Sequence, residues 1–279
     1  MSVSHHLVSP LSKNFFKRAI LQSGSAYYYT GNGAVNSSYN LNDAKKYSKK
    51  EHNCSGDTWL KCLQNVDAAK LSKYNTDELY VDKPIEGDEF MPENAQKLIK
   101  SGKFHTNSQI LAGIVNNEGT MYARTILNRL QVANITRPLI KFLIEQNFEN
   151  LVFKRLRPKV DGKKLYEFYF KDLFADENRT IDQITLKRAF SAPLGDYIIR
   201  CPSYLFAQDY ALSSEQNQVY FYTLTYNAKK SCEQWMGVCH GSDFPFVFGT
   251  PLTDKSFSEL DFHFSLLVMH IWSTFAKSG

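Results

Sequence analysis

Three short runs of this chain have the character of β-strands, and helical segments separate them. The runs are Lys17–Gln22, Gln109–Val115 and Val219–Tyr226, of which the last is the richest in β-forming residues. Helical spacing of apolar residues marks Met121–Leu130 and the long segment Phe257–Ala276. Strands that alternate with helices predict an α/β architecture. Three strands are few for an independent doubly wound sheet, and a sheet without its other strands would expose an unpaired edge. The sequence therefore predicts part of a larger α/β domain.

Two stretches of helix are expected to be interrupted. Pro138–Asn147 and Asn150–Arg157 are predicted as separate helices. The helical pattern of Ile181–Tyr210 is expected to break at Pro193, Gly195 and Pro202. Proline removes a backbone donor and clashes with the preceding turn, and glycine weakens a helix interior.

Composition excludes several classes of protein. Of the 279 residues, 43% are hydrophobic and 22% are charged, which is typical of an ordinary globular protein. The net charge is only +5, and its densest basic stretches, Lys45–Lys50 and Lys154–Lys164, come with no nucleic-acid motif. We interpret them as solvated helix faces and expect no nucleic-acid partner. No apolar run reaches the roughly 18 residues of a membrane span, so none is expected.

The cysteines leave two interpretations open. Cys54 and Cys62 are eight positions apart, and Cys232 and Cys239 are seven apart. Loops of this size can be closed by disulfides, each contributing roughly 2–3 kcal/mol in the chain-entropy model. Buried reduced thiols are the alternative. Cys232, Cys239 and His240 lack the usual spacing of zinc ligands, so no metal site is predicted.

Acceptor motifs for N-glycosylation are also present. About two or three such motifs are expected by chance in a chain this rich in asparagine, serine and threonine, so they are weak evidence for secretion. The candidate sites are Asn36, Asn53, Asn134 and Asn178.

One acid and one histidine each follow a strand-like run. Glu118 lies in the tight loop Asn116–Thr120, and His240 lies in Trp235–Gly241. An acid followed by a histidine, each after a strand, is the second half of the order Ser…Asp/Glu…His found in α/β-hydrolases. Taken alone, each has an ordinary explanation as a turn or loop residue. The nucleophile motif of that order, G-x-S-x-G, does not occur in the sequence.

Several blocks together resemble the type-B carboxylesterase and cholinesterase family. They run the whole length of the chain and surround both candidate residues: Ser2–Pro10, Phe16–Ser25, Pro84–Phe90, Gly195–Pro202, Trp235–Gly249 and Ile271–Gly279. The resemblance implies a partial α/β-hydrolase fold. It makes Glu118 the acid and His240 the base of a catalytic triad, and it makes Ser23 a buried serine that supports the acid. By the same resemblance, Cys54 and Cys62 form a disulfide.

That resemblance also implies what the chain lacks. The nucleophilic serine would precede Met1, so we expect residues 1–279 to be a single incomplete domain, truncated at both ends. The implied protein is a secreted carboxylic ester hydrolase that acts on small-molecule esters without a cofactor. The 279-residue chain alone is expected to be inactive. The alternative is a non-catalytic, cholinesterase-like module for adhesion or protein binding, which would need neither Glu118 nor His240. The oligomeric state stays open.

Overall fold

The protein is built around a parallel sheet. A computed structural model describes residues 1–27, 35–72, 84–104, 107–152, 160–228 and 232–279. In the described ranges β1 (Arg18–Gln22), β4 (Gln109–Val115) and β5 (Gln218–Leu224) form a parallel sheet in the order β1-β4-β5. Two residues each of β2 (Val35–Asn36) and β3 (Ile85–Glu86) form a second parallel pair. The strand predictions are therefore confirmed, with end points that shift by one or two residues.

Helices connect and cover the strands. Their bounds, in chain order, are α1 (Ser2–Val8), α2 (Ser37–His52), α3 (Trp59–Gln64), α4 (Ala68–Leu71), α5 (Ala95–Lys100), α6 (Thr120–Arg129), α7 (Arg137–Val152), α8 (Gly162–Phe170), α9 (Gln183–Gly195), α10 (Cys201–Leu212), α11 (Phe244–Val247) and α12 (Glu259–Ser278). A π-helical turn, Asp196–Arg200, joins α9 to α10.

The two faces of the sheet are covered by different helices. Side chains of β1 and β4 such as Leu21 and Ile110 pack with α1, α5 and α10, whose Phe206 is fully buried. On the opposite face, Trp272 of α12 meets Tyr222 of β5 edge to face at 5.1 Å. Strand β4 is buried from Ile110 to Val115, as expected for a central parallel strand covered on both sides. The prediction of an α/β architecture is confirmed.

The predicted helix breaks are partly wrong. Helix α7 runs without interruption from Arg137 to Val152, because neither glycine nor proline lies between the two predicted segments and Phe148, in between, is 3% exposed in the core. Residues 153–157 of the second segment lie outside the described residues. Helix α9 continues through Pro193, so that predicted break is wrong, but it ends at the predicted break Gly195, where the π-helical turn follows. Pro202 lies in the first turn of α10, where its missing donor costs no hydrogen bond.

Two disulfides close short loops. The structure joins Cys54 to Cys62, between the end of α2 and helix α3, and Cys232 to Cys239. The fifth cysteine, Cys201, is unpaired and exposed. Across the described ranges, no helix is both long enough and apolar enough to cross a membrane.

Candidate active site

Glu118 lies in the turn that connects β4 to α6. Its side chain is buried, and Oε1 accepts a hydrogen bond from the Val115 backbone N–H at 2.8 Å. Gly119 packs directly on the backbone of α9, so closely that a Cβ there would lie 2.5 Å from Gly195 N and closer still to Ser191 O. Only a glycine permits this approach, and the contact fixes the turn that aims the carboxylate.

His240 belongs to a short segment, residues 237–241, that lies beside the turn carrying Glu118. The Asn117 backbone N–H donates to Val238 O at 2.9 Å, and the Val238 N–H donates to Asn117 Oδ1 at 3.1 Å. Gly237 and Gly241 enclose this segment with φ values of 62° and 85°, a backbone region that favours glycine. The histidine is thereby held next to the loop that carries the acid.

The two side chains meet in a short hydrogen bond. His240 Nδ1 lies 2.7 Å from Glu118 Oε2, although the residues are 122 positions apart. Glu118 raises the pKa of His240 above its ordinary value by accepting this hydrogen bond, while burial of the imidazole acts in the opposite direction. With Nδ1 committed to the carboxylate, Nε2 is the nitrogen that can take a proton. A buried carboxylate that orients a partly exposed imidazole is an arrangement suited to general base catalysis.

Beneath this pair lies a polar layer that sequence reasoning missed. Gln22, Gly113 and Tyr222 stand side by side in the register of the sheet. The Gln22 amide donates to Asp243 Oδ2 at 2.5 Å, and Asp243 is 3% exposed. Burial raises the pKa of the Asp243 carboxyl. It also raises the pKa of the Tyr222 hydroxyl, and the nearby Asp243 and Glu118 carboxyls add to that effect. The available signal was the position of Asp243, three residues after the histidine in the same motif.

Ser23 lies at the end of β1 and makes no hydrogen bond to the acid–base pair. It follows β1 with a positive φ of 51°, and its backbone N–H donates to Gly113 O at 2.9 Å. Its hydroxyl oxygen is buried and makes no hydrogen bond to any described residue. A supporting role for Ser23 toward Glu118 stays a prediction.

The beginning of α1 also reaches this site. The backbone nitrogen of Met1 lies 3.2 Å from the position that a Cβ on Gly24 would take. The residues at this edge therefore come from four parts of the chain.

Arg200, in the π-helical turn, contacts the loop that carries Glu118. Its guanidinium donates to Asn116 O at 2.7 Å and pairs with Asp196 Oδ1 at 3.2 Å. Tyr169 donates to the other oxygen of Asp196 at 2.7 Å. No local sequence pattern predicts these contacts of Arg200.

The remaining predicted sites lie elsewhere. Among the described residues no cluster of histidine, cysteine, aspartate or glutamate has the arrangement of a metal site. Asn53, Asn134 and Asn178 are exposed, as a glycosylated asparagine must be, while the side chain of Asn36 lies outside the described part of the structure.

Known proteins are similar to this chain over nearly its whole length. Residues 1–279 match the carboxylesterase family. The chain is 29% identical to a cholinesterase of Mus musculus over 100% of its own length and 46% of the relative. It is 30% identical to acetylcholinesterase 1 of Caenorhabditis elegans over 100% of its length and 47% of the relative. For acetylcholinesterase-1 of Trittame loki the identity is 24%, over 97% of the chain and 50% of the relative.

The chain spans about half the length of the curated relatives it matches. The family match nevertheless covers every residue, from the first helix to the last. The resemblance noted in the sequence is confirmed, and with it the α/β-hydrolase character of the partial sheet. This chain belongs to the carboxylesterase family.

Proposed function

We propose that the protein containing this chain is a serine hydrolase of carboxylic esters, in which Glu118 is the triad acid and His240 is the triad base. The observation that carries the proposal is the 2.7 Å hydrogen bond between His240 Nδ1 and Glu118 Oε2. Glu118 is 1% exposed, whereas the side chain of His240 is 32% exposed. The acid is thus buried, while part of the imidazole is exposed and accessible to a substrate.

Each member of the pair has a defined task. His240 Nε2 takes the proton of a serine hydroxyl as the oxygen attacks the ester carbonyl, and later returns it to the departing alcohol. Glu118 accepts the Nδ1 hydrogen, which fixes the tautomer and stabilises the imidazolium that forms. The second carboxylate oxygen is held by the Val115 backbone N–H, so the acid cannot rotate away. No metal or organic cofactor is needed for this chemistry.

In this proposal the nucleophile comes from outside the 279 residues. The sequence contains no G-x-S-x-G motif. The Met1 nitrogen lies beside Gly24, just after β1, so a residue shortly before Met1 in a longer protein would lie at the end of the sheet that carries this site. We place the serine there and expect the 279-residue chain alone to hydrolyse no ester above background.

Ester hydrolysis by the full-length protein tests the proposal, with an aryl acetate as substrate. Replacing His240 by alanine should lower kcat by about a millionfold, as loss of the histidine does in a serine protease. His270→Ala is the matched control, because His270 is an exposed histidine on α12. Its kcat should stay at the wild-type value. A His240→Ala protein that keeps wild-type turnover would refute the assignment.

The competing proposal of an adhesion or protein-binding module makes the opposite prediction. Such a protein would still bind its partner when His240 is replaced by alanine, and neither the wild type nor the variant would hydrolyse an ester. The preserved geometry of the acid–base pair supports the hydrolase, since binding alone gives no reason to maintain it.

We also propose that the protein is secreted and glycosylated. Disulfides persist in oxidising compartments, and the structure contains two of them. The acceptor asparagines Asn53, Asn134 and Asn178 are exposed. A mass decrease after treatment with an N-glycosidase tests this, and an unchanged mass in protein from a secreting eukaryotic host would contradict it.

A further inference from the structure

The segment that carries His240 is short and is bounded by two flexible backbone positions. Gly237 and Gly241 both have positive φ, and residues 238–240 lie between them. Glycine loses more conformational freedom on folding than any other residue, so this segment needs restraint from its surroundings. The geometry of the acid–base pair depends on what supplies that restraint.

One restraint is a covalent bond across the first of these glycines. The disulfide joins Cys232, five positions before Gly237, to Cys239, the residue directly before His240. Cys239 is 6% exposed and forms a parallel bridge with Asn117, next to the acid. The bond therefore ties the residue adjacent to the base back across the flexible position.

Residues next to the other end of the disulfide contact two helices. Glu233, next to Cys232, forms an ion pair with Arg124 of α6 at 3.1 Å and accepts a hydrogen bond from Trp235 Nε1 at 2.9 Å. Arg188 of α9 donates to Trp235 O at 2.8 Å. These helices are the ones that hold Glu118, because α6 begins after the Glu118 turn and α9 packs against Gly119.

We propose that the Cys232–Cys239 disulfide is a positioning element that holds His240 in register with Glu118. It completes a closed path from the acid through α6, the ion pair at Glu233 and the disulfide to the histidine. Cys232 and Cys239 are positioning residues in this account, and they act on the reaction only through His240. The inference rests on the proposed function for its effect on turnover, but not for its effect on the histidine itself.

A second disulfide in the same chain provides a matched control. Cys54–Cys62 closes a loop of nearly equal size, with a sequence separation of 8 against 7. It lies between α2 and α3, which contribute nothing to the acid–base pair. In the chain-entropy model the two bonds stabilise the fold by similar amounts, since that contribution depends on loop length. A purely structural role predicts equal consequences for their removal.

The experiment compares two double variants of the full-length protein, Cys232→Ser/Cys239→Ser and Cys54→Ser/Cys62→Ser. We expect similar losses in the urea midpoint of unfolding. Only the first variant should bring the pKa of His240, measured from its ring protons by NMR, back toward the ordinary value of 6.5. Asp243 and the charges around it are unchanged in both variants. The same variant should lose about 100-fold in kcat, the usual cost of displacing a catalytic group by about 1 Å.

Chemical reduction covers the case in which the first variant does not fold. In the Cys54→Ser/Cys62→Ser background, the bond between Cys232 and Cys239 is the one disulfide left among the described residues, and a dithiol such as dithiothreitol can reduce it because Cys232 is partly exposed. The dithiol donates two electrons and two protons, leaving two cysteine thiols and a cyclic disulfide. His240 titration should shift on reduction and return on reoxidation. An unchanged titration would overturn the proposal, and so would equal shifts in both double variants. If the titration shifts but no ester is hydrolysed, the proposed function fails and the positioning role stands.

Discussion

Gly119→Ala tests the contact that aims the acid. Gly119 has a φ of −75°, which alanine adopts without strain, so the whole effect comes from the new methyl group. That group would lie 2.5 Å from Gly195 N, about 0.9 Å short of ordinary van der Waals contact at 3.4 Å, and would overlap Ser191 O more deeply. Both neighbours are backbone atoms of α9 and cannot rotate away. Helices α6 and α9 therefore have to separate.

Overpacking of this kind costs 1–3 kcal/mol when side chains can adjust. Because backbone has to move here, we expect a loss of about 3 kcal/mol or more in the free energy of unfolding, measured by urea denaturation of the full-length protein. Gly102→Ala is the control, since a Cβ there meets no atom within 4 Å and the cost comes only from a φ of +67°. That cost is about 1–2 kcal/mol. Equal losses in the two variants would refute the packing argument.

Three further changes give distinct results. Glu118→Gln removes the charge that raises the pKa of His240, so the acid limb of the kcat profile should move to lower pH while kcat falls about 10⁴-fold. Because the pKa of His240 is raised in the folded state, the pair stabilises the fold most below pH 6.5, and this stabilisation is lost as the pH rises through the folded pKa. The difference in urea midpoint between wild type and Glu118→Gln should therefore become smaller as the pH increases over that range. Asp243→Asn should lower the pKa of His240 by less than Glu118→Gln does, because Asp243 acts on it only through its charge; a larger shift by NMR would contradict this. Ser258→Ala removes the capping box with Asp261 and should cost about 1 kcal/mol in urea unfolding with His240 titration unchanged.

The central strand and the long last helix could be predicted from local pattern. Gln109–Val115 is an unbroken run of mostly apolar residues, and the structure forms β4 over that same range. Local rules failed where tertiary packing decides. Pro193 lies inside α9, and the helix departs from α-geometry only at the π-helical turn that follows Gly195, a position that the local rule for proline does not indicate.

The candidate site was predictable only through the family resemblance. Glu118 and His240 are 122 positions apart, and Gln22 and Asp243 are 221 apart, so periodicity carries no information about either contact. The blocks of sequence that resemble the family identified Glu118 and His240, because both residues lie within or between those blocks. The same blocks did not reveal the polar layer that contains Gln22, Tyr222 and Asp243. That layer becomes visible only when the register of β1, β4 and β5 places Gln22 beside Gly113 and Tyr222.

The most direct test of the acid–base assignment is covalent labelling of the full-length protein by an organophosphate, followed by peptide mapping. The proposed function predicts a single adduct on a serine that precedes the position of Met1. Its formation should be lost in His240→Ala and kept in His270→Ala, because only His240 is hydrogen-bonded to the buried Glu118. The absence of an adduct, or an adduct that forms equally well without His240, would contradict the account.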